Sequence, residues 1–298
     1  KEKVSDEFKQ AQATFDIRLN SDHTEYYIYR LKSGANTDGA TITIPDSVDG
    51  IPVTRLIDRD LGFSSYNNIS KLIIGKNISY IGTKSTISSD ETQELGDDFF
   101  SLATSLTAIE VSLENTSFSS HNGILYNKDQ TVLLRYPASK TMSNQQASHR
   151  FVIPNTVILI YEKAFSLNLT LEMITFGENV ETIGDEAFSG CENLVNVNFN
   201  NAPIKSIGTK AFERCHSLDT IVLPTQLEKL GSSVFMGCSQ LVEIYFSNTI
   251  LEIGRNCFTG CTSLETIYTD FDFVDQLKVI FAQNNEKFID YITGISRN

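Results

Sequence analysis

The feature that most constrains this chain is a repeated motif with a period of 23 or 24 residues. A phenylalanine recurs at this spacing, and a leucine and a strand-forming isoleucine or valine recur in step with it. The phenylalanines of the five clearest copies are Phe165, Phe188, Phe212, Phe235 and Phe258. Residues 95–111 fit the same pattern upstream. Because self-similarity with a period of roughly 20 to 50 residues is typical of solenoids, each copy is expected to be one turn of a stacked array.

Each copy divides into a strand and a turn. The L-x-x-I-x-F segment alternates apolar and polar residues, which predicts a short strand with one face in the core. The I-G-x-x-A-F segment predicts a turn followed by a short helical turn that directs the phenylalanine inward. One copy alone cannot bury its apolar face, so neighbouring copies are expected to stack with their strands about 4.8 Å apart. The phenylalanines then form a continuous column in the core.

Four of the five cysteines form a second column. Successive copies place Cys191, Cys215, Cys238 and Cys261 at one position, and the copy before them has Asn168 there. A small donor at a buried turn can satisfy backbone carbonyls that the turn leaves unpaired, and this is the role we expect. Cys257 lies in an alanine column and is expected to be an apolar filler. Stacked cysteines could reach disulfide distance, but five leave one over, so free buried thiols are favoured.

These motifs resemble those of the BspA-type leucine-rich-repeat family of bacterial surface proteins. The I-G-x-x-A-F-x-x-C-x-x-L repeat carries most of the resemblance. Residues 49–61, DGIPVTRLIDRDL, are similar to the family's entry into its first repeat, and residues 115–137 are similar to a hairpin that it inserts between repeats. The resemblance implies an exported, surface-exposed protein that is associated with adhesion to host matrix proteins and to other cells.

The predicted fold is an α/β leucine-rich-repeat solenoid, a right-handed superhelix of short strands and short helical turns. Residues 1–50 are predicted to form an N-terminal β cap, because Tyr26–Leu31 and Ala40–Pro45 have the pattern of strands. The array is predicted for residues 51–270, with a hairpin insertion at about 112–137. Residues 271–298 are predicted to form a helical C-terminal cap with Asp270 or Asp272 as its N-cap. Its apolar face would consist of Phe273, Leu277, Ile280 and Phe281.

Charge and hydropathy exclude several partners. The formal net charge is -13, the sequence pI is about 4.8, and no stripe of lysine and arginine is present. Such a chain repels phosphate backbones and anionic membranes, so nucleic acid is not expected as a partner. No run approaches the roughly 18 apolar residues of a membrane-spanning helix. The polar opening KEKVSDEFKQ is not a signal peptide, so the sequence either starts after a removed leader or never had one. The family resemblance implies the first, an extracellular or cell-surface protein whose leader has been removed.

Catalytic and metal motifs are weak, and no cofactor is expected. Cys215 and His216 are adjacent, but the cysteine column already explains Cys215. Cys257 and Cys261 lack a second pair with the spacing of a zinc site. The acidic run from Asp90 to Asp98 lacks the alternating ligands of a calcium loop and is interpreted as a solvated insertion. The sequence therefore predicts neither an enzyme nor a metal site.

A partner would most plausibly contact the strand residues that alternate with the core positions, on the expected concave side. This set is rich in Asn, Thr and Tyr, and consists of Thr175, Asn196, Asn198, Thr220, Val222, Glu243, Tyr245, Thr266 and Tyr268. Tyr245 and Tyr268 are expected to stack on adjacent repeats, and exposed tyrosines are favoured at interfaces. The alternative is that Thr, Tyr and Val are there because they form strands well. The hairpin of residues 115–136 is a second candidate surface or a structural brace.

The leading hypothesis is an exported adhesion or protein-binding module whose partner is a host matrix or cell-surface protein. The alternatives are a carbohydrate-binding surface protein that uses the same tyrosine and asparagine stripe, and a purely structural spacer within a larger surface protein. An enzyme would need a pocket with a cluster of titratable groups, and the sequence offers none.

Overall fold

A computed structural model of the chain describes residues 5–32, 40–57, 69–82, 100, 103–140 and 149–296. The chain divides into two compact units. One comprises residues 1–130 and 134–140, and the other comprises residues 131–133 and 141–298. The acidic run from Asp90 to Asp98 lies outside the described residues, as do residues 95–99, 101 and 102 of the upstream repeat.

The first unit is built mainly of parallel strands. Its described elements are α1 (Asp6–Thr14), β1 (Phe15–Leu19), β2 (Tyr26–Leu31), β3 (Ala40–Thr43), β4 (Ser47–Val48), β5 (Ile51–Ile57), β6 (Ile69–Ile74), β7 (Tyr80–Gly82), β8 (Ala108–Val111), β9 (Phe118–His121) and β10 (Ile124–Asn127). Strands β2, β5 and β7 pair in parallel, as do β3, β6 and β8. The two strands predicted near the N-terminus are confirmed as β2 and β3. Helix α1 was not predicted; the Ser5 hydroxyl accepts a hydrogen bond from the Phe8 N–H and caps it.

The predicted hairpin is present within the first unit as the antiparallel pair β9 and β10. Asn122 and Gly123, with φ of 51° and 74°, form the tight turn, as an Asn-Gly pair favours. Asn115 is fully buried before it, and its amide donates to the carbonyls of Gly75 and Ile78 at 2.8 and 2.9 Å. Its oxygen accepts two backbone N–H bonds from the start of the hairpin. One side chain therefore anchors the hairpin to the preceding repeat.

The second unit is a solenoid with two strands in each turn. Its elements are β11 (Val132–Arg135, which begins in this unit), β12 (Arg150–Val152), β13 (Leu159–Ile160), β14 (Met173–Thr175), β15 (Thr182–Ile183), β16 (Asn196–Asn198), β17 (Ser206–Ile207), β18 (Thr220–Val222), β19 (Lys229–Leu230), β20 (Glu243–Tyr245), β21 (Glu252–Ile253), β22 (Thr266–Asp270), α2 (Val274–Asn284) and β23 (Ile292–Ile295), with 3-10 helices at Phe271–Phe273 and Glu286–Tyr291. The odd-numbered strands from β13 to β21 form one parallel sheet. The predicted L-x-x-I-x-F strands, β14 to β22 in even numbers, lie on another side of each turn.

The predicted phenylalanine column is the centre of the core. Phe165, Phe188, Phe212, Phe235 and Phe258 are fully buried. Their rings stack in order with centroid separations of 4.7, 5.1, 5.8 and 6.0 Å and interplanar angles of 15° or less. Each ring therefore fills the space above its neighbour, so the apolar face that one repeat cannot bury alone is buried by the next.

The segment between the two strands of a repeat differs from the predicted helical turn. In the repeat from Gly184 to Cys191, Glu186 and Gly190 have φ of 53° and 73°, which a helix does not allow. The N–H groups of Glu186, Phe188 and Gly190 donate to carbonyls of the next repeat at 2.7 to 2.8 Å. The N–H groups between them close local turns three residues back. The left-handed residues thus turn alternate N–H groups outward, and a second ladder between repeats replaces the helix.

The glycine of the I-G dipeptide is required by the spacing of the repeats. A Cβ atom on Gly208 would lie 2.5 Å from the backbone nitrogen of Asp185, and one on Gly231 would lie 2.5 Å from that of Thr209. Such distances are shorter than any allowed contact, and the obstacle is backbone, which cannot rotate away. Gly237, in contrast, is a left-handed residue (φ 78°) whose added Cβ would come no closer than 3.4 Å to any atom, the nearest being in the Arg214 side chain.

We predict that Gly208→Ala destabilises the protein by about 3 kcal/mol, because the backbones of adjacent repeats must separate. Gly237→Ala is the matched control and should cost about 1 kcal/mol, the cost of a left-handed alanine. Urea denaturation of both variants measures the difference. Equal losses would show that Gly208 is not in steric contact with the previous repeat.

The cysteine column forms the predicted hydrogen bonds. Each thiol of the column lies 3.1 to 3.3 Å from a carbonyl oxygen of the phenylalanine column in the preceding repeat. The thiols are those of Cys191, Cys215, Cys238 and Cys261. Asn168 at the same position accepts the N–H bonds of Thr170 and Leu171. All five cysteines are buried thiols that form no disulfide. Cys257 does more than fill space, since its Sγ lies 3.1 Å from the carbonyl oxygens of both Gly231 and Gly254.

Burial makes the thiols difficult to ionise. It raises the pKa of Cys257 and of Cys261 to about 12 and raises the pKa of Cys215 and Cys238 further above the ordinary value of 9.0. The unfolded chain then releases thiol protons that the folded chain retains. The free energy of unfolding should therefore be unaffected by these groups below pH 9 and fall as pH rises from 9 towards 12.

We predict that the variant with Cys215→Ser and Cys238→Ser has a flatter alkaline stability profile than the parent protein. Each thiol contributes a slope of about 1.4 kcal/mol per pH unit above its unfolded pKa, so the slope should fall by roughly 3 kcal/mol per pH unit. Serine keeps a donor at the same place and does not titrate. Urea denaturation between about pH 9 and pH 11 tests this, and parallel profiles would show that these thiols ionise as freely in the folded protein.

The C-terminal segment covers the end of the last repeat with an aromatic ring, a parallel strand and a hydrogen-bond donor. Phe281 of α2 continues the ring stack at 5.7 Å from Phe258, and β23 pairs in parallel with β22. The amide of Asn284 donates to the Ile253 carbonyl at 3.1 Å, the place that a following glycine N–H occupies inside the array. Leu277, Ile280 and Phe281 are buried as predicted. Asp270 takes the N-cap position of the 3-10 helix Phe271–Phe273 that leads into α2, but its side chain makes no capping hydrogen bond there. Phe273 takes the N-cap position of α2 itself.

Candidate partner-binding face

The predicted outward residues share one surface of the second unit, which we call the strand face. It consists of the residues of β12, β14, β16, β18, β20 and β22 that alternate with buried ones. They form two rows, in register from β12 to β16 and again from β18 to β22. One row consists of Arg150, Met173, Asn196, Thr220, Glu243 and Thr266, and the other of Val152, Thr175, Asn198, Val222, Tyr245 and Tyr268. All of these side chains are exposed or half-buried. The structure thus places all nine residues predicted as a binding site on one side of the unit.

Two tyrosines and a glutamate form a fixed group on this face, which we call the tyrosine cluster. The rings of Tyr245 and Tyr268 stack with a centroid separation of 4.5 Å and an angle of 20°. Their hydroxyls donate to the two carboxylate oxygens of Glu243 at 3.0 and 3.4 Å. One carboxylate therefore holds both phenols, so the side chains are ordered before any partner arrives.

The electrostatics of the tyrosine cluster oppose ionisation of Tyr245. Loss of water around the hydroxyl, the hydrogen bond to Glu243 and the negative charge of Glu243 all raise the pKa of Tyr245 above its ordinary value of 10.0. The neutral phenol is therefore the form present at any physiological pH. Val222 pairs in register with Tyr245 and is 56% exposed, so an apolar side chain borders the aromatic pair.

The strand face is interrupted between β16 and β18. Elsewhere in this row the N–H of the residue after each strand donates to the next strand: Phe176 to Asn198, Leu223 to Tyr245 and Phe246 to Tyr268, at 2.8 to 2.9 Å. Among the described residues, Phe199 and Val222 make no such bond, and β16 and β18 belong to different sheets. A cavity of about 500 Å³, which we call the slot, lies between the two strands.

One inserted residue explains the slot. Seven positions separate Phe176 from Ile183, whereas eight separate Phe199 from Ile207. The extra residue is accommodated at Asn200 and Asn201, both left-handed with φ of 49° and 56°. Asparagine tolerates this conformation better than most residues. The chain turns away at once after β16, and the Phe199 carbonyl accepts a local bond from Ala202.

Sequence reasoning missed the slot and one strand of the face. The change from a period of 23 to one of 24 between Phe188 and Phe212 was a visible signal for the slot. Strand β12, with Arg150 and Val152, was missed because its repeat lacks the I-G-x-x-A-F motif. Val152 is 66% exposed, so the apolar part of the face extends beyond the predicted residues.

The surroundings of Cys215 and of the acidic side chains bear on the enzyme and metal alternatives. Cys215 is fully buried, and its raised pKa makes it a poor nucleophile. Across the described ranges, no group of three His, Cys, Asp or Glu side chains is placed to hold a metal ion. None of the described helices combines the length and the apolar character needed to cross a membrane.

Comparison with protein families gives a match over the repeats. A model of the BspA-type leucine-rich-repeat region matches residues 138–265 in six copies. These copies include the phenylalanine, glycine and cysteine columns described above. Comparison with curated proteins gives no match.

Comparison with solved structures identifies the fold. A leucine-rich cell surface protein from Faecalibacterium prausnitzii is 17% identical, with a TM-score of 0.53 over 96% of this chain and 97% of its own. The pneumococcal vaccine antigen PcpA is 18% identical, with a TM-score of 0.60 over 95% of this chain and 100% of its own. The fold is therefore a leucine-rich-repeat solenoid, and the repeats at residues 138–265 match the BspA-type leucine-rich-repeat model.

Proposed function

We propose that this chain is a non-catalytic binding module of a bacterial cell surface, and that its strand face attaches to a protein partner of the host matrix or of another cell. The observation that carries the proposal is the tyrosine cluster. It is a rigid aromatic pair on the surface beside exposed Val222, on an array whose core is already complete without it. The cell-surface description of the similar Faecalibacterium protein supports the same location.

The packing of the tyrosine cluster favours a protein partner over a sugar. Sugars bind aromatic residues through an open ring face. Here Tyr245 and Tyr268 cover one face of each other, and their other faces lie towards the strands that carry Val222 and Thr293. The cluster therefore offers ring edges and hydroxyls, which suit the mixed apolar and polar centre of a protein interface.

Ordering before binding explains how a small cluster can contribute much of the affinity. A free tyrosine side chain loses rotamer freedom on binding, which costs about 0.5 to 1.5 kcal/mol. In Tyr245 and Tyr268 this freedom is already restricted by the stack and by Glu243. Buried tyrosines near the centre of an interface are among the residues that most often dominate binding.

We predict that Tyr245→Ala with Tyr268→Ala weakens binding to a protein partner at least about 100-fold, the effect of losing an interface hot spot of roughly 3 kcal/mol. The melting temperature should change little, because both side chains lie outside the core. The measurement is surface plasmon resonance on a panel of immobilised extracellular-matrix proteins, with circular dichroism to verify folding.

The matched control carries Lys229→Ala and Glu252→Ala. These residues form an exposed ion pair at 3.3 Å on the sheet of β19 and β21, within the same repeats. This control should bind as the parent does. Equal affinity of the tyrosine variant and the parent would refute the site, and failure of the parent to bind any protein would favour the spacer alternative.

A further inference from the structure

We propose that the slot between β16 and β18 is a second binding site, which adjoins the tyrosine cluster at Val222 but has its own polar lining, and that its ligand is a neutral saccharide. The residues around it are polar but almost uncharged. Its exposed polar side chains are Asn196, Asn198, Asn200, Asn201, Thr220 and Thr225. Within the described part of the chain, Asp219 is the one ionisable residue that lines it. This chemistry differs from that of an ionic or an apolar pocket and restricts the class of ligand.

Hydroxyl groups match the lining. Each asparagine amide presents both donors and an acceptor, and each sugar hydroxyl is also both a donor and an acceptor. A pair of neighbouring hydroxyls can therefore bond to one amide in two directions. Asn200 already donates to the Phe176 carbonyl at 3.3 Å, and Asn198 accepts from the Asn200 N–H at 2.9 Å. The amide positions are thereby fixed before a ligand enters.

The interrupted ladder adds backbone groups to the site. In the intact part of the row, a strand residue such as Tyr245 uses its carbonyl to accept a bond from the preceding repeat, from Leu223. Across the slot, within the described residues, the equivalent bond from Phe199 to the Val222 carbonyl is not made. A polar ligand bound in the slot can approach these backbone groups from the surface and form the hydrogen bonds that water would otherwise provide.

Size and apolar contacts agree with one or two sugar rings. The cavity of about 500 Å³ lies within the roughly 300 to 1,000 Å³ that small-ligand sites occupy. Val222 at its rim is 56% exposed and can contact the C–H face of a ring. The net charge of -13 disfavours anionic sugars, so neutral ones are preferred.

The test is an array of neutral and sialylated glycans, followed by calorimetric titration of the strongest neutral binder. The parent protein should bind at least one neutral glycan. The variant Asn196→Ala with Thr220→Val removes outward polar groups without touching the core and should weaken that binding at least about tenfold. Thr175→Val, on the paired strand β14, is the matched control and should bind as the parent does.

Deletion of Asn201 is a second variant that acts on the cause of the slot. It restores the 23-residue period, so β16 and β18 should pair and binding should be lost. If the deletion variant does not fold, the double substitution still provides the test.

Two outcomes would overturn the proposal. In one, the parent protein binds no neutral glycan; in the other, Asn196→Ala with Thr220→Val leaves the binding unchanged. Neither tyrosine lines the slot, so the variant with Tyr245→Ala and Tyr268→Ala keeps its polar groups and should retain glycan affinity within about twofold. The two proposals can therefore fail separately.

Discussion

The close stacking of one repeat on the next is the constraint on which the rest of the second unit depends. Parallel strands fix adjacent repeats at about 4.8 Å. At that distance only glycine fits at Gly208 and Gly231, aromatic rings can stack face to face along the core, and a thiol reaches the carbonyl of the preceding repeat. Each column depends on this spacing between repeats in a different way. Glycine permits the close approach, and phenylalanine fills the space between repeats. Cysteine and the left-handed turns form hydrogen bonds across it with backbone groups.

The same constraint explains where the surface can bind a partner. Regular spacing places Tyr245 and Tyr268 at stacking distance and brings Glu243 within reach of both hydroxyls. A single extra residue at Asn200 and Asn201 breaks the spacing on one side of the turn and opens the slot. The core continues through this break, since Phe188 and Phe212 remain stacked at 5.1 Å with an angle of 2°. The solenoid therefore permits a local change of its surface without loss of its core.

The sequence predicted what repeats in composition. The phenylalanine and cysteine columns and the outward position of Tyr245 and Tyr268 follow from periodicity alone. It could not predict what depends on backbone geometry. Glu186 and Lys210 are left-handed although their residue type gives no sign of it, and this turns a predicted helical turn into a ladder. Asn284 covers the end of the array because its amide lies beside the Ile253 carbonyl, and the residue type alone does not indicate this position. The slot depended on one extra residue whose effect required the strand register.

Backbone hydrogen exchange measured residue by residue tests most directly the claim that repeat spacing controls both the fold and its break. The amides of Phe176, Leu223 and Phe246 are bonded across repeats, and that of Phe199 is the equivalent group at the slot. We expect the Phe199 amide to exchange at least about 100-fold faster than the other three, because exchange there does not require separating two repeats. Equal protection of all four amides would mean that β16 and β18 are paired, and it would contradict the account.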